Sequence, residues 1–362
     1  MPKRPSQDCG TGVSPVSLHG TEARATGGSG RGPKPLGVRI VGTGRAIPDR
    51  VLTNQYFSDR LDTSDKWIRE RTGIRERHVV SEGESTATLA TDAGRKAITD
   101  AGLTPADIDL IIVATITPEC FFPSTACFVQ EKLGMAPTPA FDLSAACSGF
   151  VYGLLTGTFM LQGGHYRHIL VIGAETMSKI TDYDDRATAI LFGDAAGAVV
   201  LAPTPDLSGP CILHHSMCAD FSGVSVLSVP AGGSHLPTTQ MTLDERMHLI
   251  KMQGREVYKL AVKRNFELVD KTLEEAGITA DDLAIVIPHQ SNLRIIESAR
   301  QRLGLSKERM FTNIEKYGNT SSASVPVALD ECRKTGRIKP GDLILLIAFG
   351  AGFTWASALL RL

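Results

Sequence analysis

A cysteine flanked by small residues lies where the sequence predicts a strand to end and a helix to begin. Cys147 stands in the motif DLSAACSGF at 142–150, directly ahead of a long apolar segment. The backbone N–H groups and the dipole of a helix N-terminus stabilise a thiolate, which lowers the pKa of a thiol placed there. This position predicts a nucleophile, although a buried cysteine that only packs fits the same pattern about equally well.

Two polar side chains in the second half of the chain could act beside such a nucleophile. His289, in IPHQSN at 287–292, follows a predicted buried strand, and ligand chemistry in α/β folds gathers beyond the carboxyl ends of strands. Asn319, in YGNTSSAS at 317–324, would offer an uncharged amide donor. A structural histidine and an asparagine that caps a turn or a helix are the alternative interpretations.

A glycine-rich segment near the C-terminus supplies the remaining part of a reactive site. It reads FGAGFTW at 349–355, and glycines let a backbone approach a ligand closely and present its N–H groups. An oxyanion hole needs such donors, although a turn between two strands would look the same. The cysteine, the histidine, the asparagine and this loop together predict a nucleophile, an acid–base group or donor, a second donor and an oxyanion site.

Strand-like and helix-like segments alternate from Val38 onward and must position these residues. Aliphatic runs typical of strands buried on both faces lie at 110–113, 169–172 and 198–201. Segments that read as helices lie at 87–101, 121–133 and 149–161. Alternation of this kind predicts a layered α/β architecture.

The order of these segments recurs along the chain. The stretch AGLTPADI at 101–108 is echoed by AGITADDL at 276–283, and each precedes a predicted buried strand. Two shorter echoes follow in the same order. KLGM at 132–135 is echoed by RLGL at 302–305, and FG at 192–193 is echoed by FG at 349–350. We therefore predict an internal duplication, with an N-terminal half at 37–206 that carries Cys147 and a C-terminal half at 207–362 that carries the other site residues. A site fed by loops of both halves would lie at their junction.

The composition is that of a globular protein without a strongly charged surface. The 362 residues are 42% hydrophobic and 21% charged, with a formal net charge of −1. These values exclude a disordered or fibrous protein, and the lack of a basic run argues against nucleic acid as a partner. The longest apolar run, at 343–353, is too short to span a membrane. Seven cysteines without a C-x-x-C motif predict a reduced, cytoplasmic protein that binds no metal.

Residues 1–36 differ from the rest of the chain. Nineteen of these 36 residues are Gly, Pro, Ser or Thr, and none is aromatic. Such a segment buries too little apolar area to offset the entropy of ordering it, so we expect a disordered N-terminal extension. A targeting peptide is disfavoured because the segment has no apolar core and no clear amphipathic arginine pattern. An over-extended translation start is the other alternative.

Four motifs, taken in order, are similar to those of a known enzyme family. DLSAACSGF, PHQSNLR, GNTSSASVP and FGAGFTW occur at the spacing found in the β-ketoacyl-[acyl-carrier-protein] synthase III family, and the resemblance covers residues 38–362. It implies the thiolase fold, an α/β five-layer αβαβα sandwich made of two duplicated halves. It also implies that Cys147 is the acylated nucleophile and that His289 and Asn319 complete a Cys-His-Asn triad.

The resemblance implies further binding residues. The residues implied to bind coenzyme A are Trp67, Arg71, Thr72 and Arg186. An indole face and guanidinium groups suit a purine and phosphates, although Trp67 alone could be a surface aromatic. The oxyanion-hole N–H groups are implied to be those of Cys147 and Ala351. Phe122 is implied to cross a homodimer interface and close the acyl pocket of the other subunit.

A basic face that docks the acidic acyl carrier protein is implied as well. Its residues by the resemblance are Lys259, Arg294 and Arg302. Without the resemblance, three scattered cations on a chain of net charge −1 would mean only a solvated surface.

The implied reaction is a decarboxylative Claisen condensation that initiates fatty acid synthesis. An acyl-CoA primer acylates Cys147, and malonyl carrier protein then loses carbon dioxide and condenses with the acyl group to give 3-ketoacyl carrier protein. No metal or cofactor is implied beyond these two substrates. One departure from close relatives is the loop sequence Gly-Ala-Gly, where they often have three glycines. Ala351 keeps its N–H, but its φ must suit a Cβ.

Other thiolase-like enzymes fit less well. A biosynthetic thiolase needs a second cysteine near the glycine-rich loop, and 347–355 has none, while an elongating synthase normally has a histidine where Asn319 stands. A plant-type polyketide synthase shares the triad but not the loop sequence, and the complete triad disfavours an inactive homologue that only binds the carrier protein. The alternative is a secondary-metabolism homologue that acts as an acyltransferase or uses a different primer. The sequence does not fix the length or branching of the primer.

Overall fold

The structure, a computed structural model, describes residues 37–362, and the extension at 1–36 that we predict to be disordered lies outside them. The strands are β1 Val38–Ala46, β2 Val51–Thr53, β3 Glu76–His78, β4 Leu110–Ala114, β5 Ala140–Leu143, β6 Ile169–Thr176, β7 Asp194–Pro203, β8 Cys211–Ala219, β9 Leu227–Ser228, β10 Lys251–Met252, β11 Ile285–Pro288, β12 Leu343–Gly350 and β13 Thr354–Arg361. The α-helices are α1 Asn54–Ser58, α2 Asp65–Thr72, α3 Thr86–Asp100, α4 Thr125–Leu133, α5 Gly149–Gln162, α6 Arg186–Ala189, α7 Gln240–Asp244, α8 Gly254–Ala276, α9 Leu293–Arg302, α10 Ile314–Tyr317 and α11 Ser324–Lys334.

Two mixed sheets form the frame of the molecule. The first has the order β1-β7-β6-β4-β5, in which β4 runs parallel to β5 and β6 and β7 runs antiparallel to β1 and β6. The second has the order β11-β12-β13-β8, in which only β11 and β12 are parallel. The strands of the first sheet come from residues 38–203 and those of the second from 211–361, so the predicted boundary at 206/207 falls in the connection between them.

The helices and sheets stack as five layers, as predicted. Helices α5 and α11 lie between the sheets, because each contacts strands of both. Helices α3 and α4 cover the outer face of the first sheet, and α8, with α9 against it, covers that of the second. The strands β4 and β6 are buried along their whole length, as their aliphatic sequences predict. Within residues 37–362 no helix is both long enough and apolar enough to cross a membrane.

Helix α5 lies especially close to the first sheet and leads directly from the predicted nucleophile. A Cβ added to Gly153 would stand 3.2 Å from Val171 Cγ1, so the missing side chain lets the helix approach the strands. The helix is apolar on nearly all sides because it is enclosed by both sheets. Its N-terminus is therefore held in the interior of the molecule.

One helix begins later than predicted. The sequence pattern predicts a helix from 121 to 133, whereas α4 begins at Thr125. Pro123 disfavours helical backbone at the preceding residue, and the Asp142 carboxylate accepts the Thr125 N–H at 2.6 Å, which fixes the start of the helix. Phe121 and Phe122 lie in the loop ahead of it, 84% and 85% exposed.

Candidate active site

A cavity of about 540 Å³ is lined by residues of both predicted halves. The predicted site residues in its wall are Trp67, Arg71, Thr72, Cys147, Lys259, His289, Arg294, Asn319 and Ala351. Three other predicted residues, Phe122, Arg186 and Arg302, are not part of this wall. The fold therefore gathers the nucleophile, the histidine, the asparagine and the glycine-rich loop around one space.

Cys147 lies in a 3₁₀ turn, Ala146–Ser148, that leads from β5 into α5. Its predicted placement at a helix N-terminus is confirmed, and Ala146 adopts a left-handed φ of 46° in the turn. The predicted lowering of its pKa is wrong. Burial raises the pKa of the thiol to about 12 and the Glu175 carboxylate adds to the rise, while hydrogen bonds from Ser321 and from the Cys147 N–H oppose it. Removal of the sulfur from water destabilises the thiolate by more than the helix N-terminus stabilises it.

His289 follows β11 directly, and its neighbours indicate which ring nitrogen is protonated. Its backbone N–H donates to the Ile347 carbonyl at 2.7 Å, which holds it beside β12. Nδ1 lies 2.6 Å from Ser324 Oγ, which accepts the Gln290 N–H at 3.4 Å. Among residues 37–362, Nδ1 is the one acceptor placed to receive the Ser324 hydroxyl hydrogen, so we assign that hydrogen to Nδ1, and Nε2 carries the ring hydrogen. Burial lowers the pKa of His289 to about 3, so the ring is uncharged at neutral pH.

Asn319 is held so that its amide nitrogen can donate into the cavity. Its side-chain oxygen accepts the Ser321 N–H at 2.9 Å. Its backbone N–H donates to the Leu191 carbonyl at 2.9 Å, and its carbonyl accepts the Gly193 N–H at 3.1 Å, which ties the loop to the segment before β7. Because the side-chain oxygen is occupied by a donor, the NH₂ group is what Asn319 offers to a ligand.

The backbone N–H groups of Cys147 and Ala351 are available as a pair of donors. Within residues 37–362 neither N–H donates to an oxygen of the protein, and the Cys147 N–H interacts only with the sulfur of its own residue. The two segments lie close together, because a Cβ added to Gly350 would stand 2.6 Å from the Cys147 nitrogen. Ala351 has a φ outside the left-handed region, so alanine fits in the Gly-Ala-Gly loop. This arrangement can hold the oxyanion that forms when a thioester is attacked.

The residues implied to bind coenzyme A lie on α2 and α6. The guanidinium groups of Arg186 and Arg71 lie 5.2 Å and 5.8 Å from the centre of the Trp67 ring. A purine stacked on Trp67 would take the place of one of these cation–π contacts. The Thr72 hydroxyl donates to a backbone carbonyl at 2.7 Å and accepts a backbone N–H at 3.0 Å, so it is engaged within the chain although Thr72 lines the cavity.

Two of the three basic residues implied for carrier-protein docking lie in the cavity wall. Lys259 and Arg294 are both there, and Lys259 pairs with Glu256 at 2.9 Å. Arg302 ends α9 outside the wall and pairs with Asp270 at 2.8 Å. The sequence did not single out Arg255, which also lines the cavity and adds a cation beside Lys259.

Sequence reasoning also missed the residues that surround the triad. Glu175 lies in β6, a strand that is apolar apart from Glu175 and Thr176. A carboxylate in such a strand is a signal, because burying it without partners is costly. Ser321 and Ser324 carried no signal, because the fold alone decides which of several neighbouring serines meets the cysteine or the histidine.

Two protein-family models match the chain. The model for 3-oxoacyl-[acyl-carrier-protein] synthase III matches residues 141–220, and the model for the C-terminal part of the same enzyme matches residues 273–362. The matched segments hold Cys147 in the first case and both His289 and Asn319 in the second.

Whole-chain relatives agree with these matches. A β-ketoacyl-[acyl-carrier-protein] synthase III of Caldanaerobacter subterraneus subsp. tengcongensis is 49% identical over 322 residues, which cover 89% of this chain and 97% of that protein. One from Natranaerobius thermophilus is 47% identical over 324 residues, covering 89% and 98%. The crystal structure of 3-oxoacyl-[acyl-carrier-protein] synthase III from Aquifex aeolicus has a TM-score of 0.83 at 44% identity and covers 90% of this chain and 100% of that one.

Proposed function

The chain belongs to the β-ketoacyl-[acyl-carrier-protein] synthase III family, and from that premise we propose how its own residues carry out the reaction. It is an acyltransferase with the thiolase fold that initiates fatty acid synthesis by condensing an acyl-CoA primer with malonyl carrier protein. The relatives described above favour this role over that of a secondary-metabolism homologue. The observation that supports our assignment of roles is the gathering of Cys147, His289 and Asn319 around one cavity.

In the first half-reaction the Cys147 sulfur attacks the thioester carbon of acyl-CoA. The N–H groups of Cys147 and Ala351 hold the oxyanion, and one such donor typically contributes on the order of a hundred- to a thousandfold in rate. Coenzyme A leaves, and the acyl group stays on the sulfur. The residues that hold coenzyme A in this proposal are Trp67 and Arg186 at the adenine and Arg71 and Thr72 at the pantetheine diphosphate.

In the second half-reaction the malonyl thioester oxygen lies between the Nε2–H of His289 and the amide of Asn319. Carbon dioxide leaves, and its electron pair remains on the α-carbon as an enolate whose oxygen keeps both hydrogen bonds. The carbanion attacks the acyl group on Cys147, which releases 3-ketoacyl carrier protein and a thiolate that takes up a proton. Decarboxylation generates the carbanion, so no base has to remove a carbon-bound proton. Two uncharged donors are therefore sufficient.

The proposal includes partners and a setting for the reaction. Acyl-CoA and the acyl carrier protein are the substrates, and no metal or cofactor is needed beyond them. The cations Lys259, Arg294 and Arg302 would attract the acidic carrier protein. Phe122 would reach across a homodimer and close the acyl pocket of the other subunit. Six free thiols among residues 37–362 agree with a reducing compartment such as the cytoplasm.

Separate assays of the two half-reactions test these roles. His289→Ala and Asn319→Ala should still accept a radiolabelled acyl group from acyl-CoA onto Cys147, within about tenfold of the wild-type rate. Each should lower carbon dioxide release from malonyl carrier protein by about a hundred- to a thousandfold, because the enolate loses a donor. Cys147→Ala should do the reverse and lose acylation while keeping some decarboxylation.

The matched control is Cys218→Ala, which removes an exposed thiol and should behave as wild type in both assays. If His289→Ala and Asn319→Ala lost acylation as completely as Cys147→Ala, the division of roles would be wrong. A Cys-His ion pair formed to activate the nucleophile would then be the better account.

A further inference from the structure

Glu175 is a buried carboxylate that the mechanism above leaves without a task. It lies in β6 with 0% of its surface exposed, and no basic side chain within residues 37–362 forms an ion pair with it. Five groups donate to it instead. They are Thr115 at 3.2 Å, the Ile116 N–H at 3.1 Å and Thr117 at 2.7 Å on Oε2, with Ser321 at 3.1 Å and Ser322 at 2.8 Å on Oε1.

Ser321 connects this carboxylate to the nucleophile. Its hydroxyl donates to Glu175 Oε1 at 3.1 Å, and hydrogen bonding by the same side chain opposes the rise in the pKa of the Cys147 thiol. Ser321 has a left-handed φ of 48°, and its N–H is fixed by the Asn319 side-chain oxygen at 2.9 Å. The backbone is thus held in an uncommon conformation within the turn Ser321–Ala323, which packs against the turn Ala146–Ser148 that carries Cys147.

The thiol needs a proton acceptor that the triad does not supply. Cys147 is protonated at rest, since burial raises its pKa to about 12. His289 is a poor acceptor, because Nδ1 is engaged by the Ser324 hydroxyl and burial lowers the ring pKa to about 3. Asn319 has no basic atom free.

We propose that Glu175 accepts the Cys147 proton through the Ser321 hydroxyl as the thiol attacks acyl-CoA. The Cys147 S–H bond breaks and its proton moves to Ser321 Oγ, while the Ser321 O–H proton moves to Glu175 Oε1. The sulfur electron pair forms the new C–S bond. When the tetrahedral intermediate collapses, the C–S bond to coenzyme A breaks and the proton returns through Ser321 to the departing sulfur. Coenzyme A leaves as a thiol, and Glu175 is again a carboxylate.

The surroundings of Glu175 suit a group that accepts a proton and then releases it. Burial raises its pKa, and the hydrogen bonds from its neighbours oppose that rise. The groups that face Glu175 are four hydroxyl groups and one backbone N–H. Cys147 is the titratable group whose pKa the charge of Glu175 raises. The same bonds tie the turn Ser321–Ala323 to β6, so a purely structural role is the competing account. This inference rests on the proposed function, since it requires Cys147 to be the nucleophile.

Glu175→Gln keeps the shape of the side chain but removes the proton acceptor. We expect the single-turnover rate of Cys147 acylation by radiolabelled acyl-CoA at pH 7 to fall by about a hundredfold, a usual contribution of proton transfer. The residual rate should rise about tenfold per pH unit up to pH 9, because solvent hydroxide must then ionise the thiol. The wild-type rate should change little over that range. Ser321→Ala, which keeps the N–H to Asn319, should show the same pH profile as Glu175→Gln.

The matched control is Asp194→Asn. Asp194 is likewise 0% exposed and accepts three hydrogen bonds, from the Val80 N–H and from the N–H and hydroxyl of Ser178. It should acylate as wild type at every pH. Acylation of Glu175→Gln at a rate within about threefold of wild type would overturn the proposal. A loss of acylation rate that is equal at every pH would overturn it as well, because it would indicate that the turn Ser321–Ala323 has moved.

The fold of each variant is checked by its melting temperature. If Glu175→Gln does not fold, the pH profile of acylation by Ser321→Ala tests the proposal instead. A wild-type enzyme that is not acylated on Cys147 would instead overturn the proposed function.

Discussion

Cys147 and His289 titrate far from neutral pH, and in opposite directions. Burial raises the pKa of the thiol to about 12 and lowers that of the imidazole to about 3. An ion pair between them would have to form against both shifts, so the uncharged pair is the resting state. A neutral imidazole with its hydrogen on Nε2 can donate to an enolate oxygen as the charge on that oxygen develops.

The buried imidazole should also make the stability of the protein depend on pH. The pKa of His289 is lowered to about 3 in the folded protein, against 6.5 for a free imidazole, so below pH 6.5 the unfolded chain binds a proton that the folded protein does not. The stability present above pH 6.5 is therefore lost as the pH falls toward 3. Between pH 7 and pH 5 the free energy of unfolding of His289→Gln should therefore fall by about 2 kcal/mol less than that of wild type, measured by urea unfolding.

His289→Asn serves as the comparison, since its replacement side chain likewise carries no titratable group and should give the same pH dependence as His289→Gln. Parallel stability curves for wild type and His289→Gln would show that folding does not lower the pKa of His289.

The turn that carries the nucleophile and the end of β12 approach each other more closely than side chains permit. A Cβ at Gly350 would stand 2.6 Å from the Cys147 nitrogen and 3.1 Å from the Ser148 nitrogen, so one of the two segments would have to move. We expect Gly350→Ala to lower single-turnover acylation by about a hundredfold, because a shift of about 1 Å in a reacting group has that effect.

Gly94→Ala is the matched control for that substitution. A Cβ there would meet only side-chain carbons, with Leu170 Cδ2 nearest at 3.2 Å, and helix α3 also favours alanine over glycine. Its acylation rate should match that of wild type within about twofold. Acylation of Gly350→Ala at a similar rate would mean that the two segments do not depend on their close approach.

The exposed surface indicates where a second copy of the chain would bind. Strand β5 is an edge of the first sheet, and the loop before α4 exposes Phe121 and Phe122 almost completely. Free strand edges and large exposed apolar side chains are typical of interfaces. We expect the protein to sediment as a dimer and Phe122→Ser to weaken the dimer about tenfold or more, measured by analytical ultracentrifugation.

Phe221→Ser removes another exposed phenylalanine, one that is 88% exposed in the segment after β8, and should leave the dimer unchanged. A fully active wild-type monomer at the assay concentration would contradict both the dimer and the role given to Phe122.

Much of this molecule could be predicted from the pattern of apolar residues, and the rest depends on contacts that no local pattern encodes. The buried strands and the positions of Cys147 and His289 at the ends of elements follow from periodicity and from the motifs, whereas the number of layers came from the resemblance to a known family. The charge states do not, because desolvation depends on how completely the fold encloses a group. The contact between Glu175 and Ser321 joins residues 146 positions apart. Pro123 was a local signal against a helix from 121, but the Asp142 carboxylate that fixes the start of α4 lies 17 positions away.

Enclosure of the nucleophile has a consequence for the lifetime of the enzyme. Peroxide and other oxidants attack thiolates that solvent can reach, whereas Cys147 is a buried thiol that is protonated until a substrate enters. Oxidative damage should therefore fall first on the exposed thiols of Cys120 and Cys218, which the reaction does not use. A bound acyl group would then complete the protection, because a thioester has no free sulfur to oxidise. The idle enzyme would stay intact in a cell exposed to peroxide and resume synthesis when primer returns.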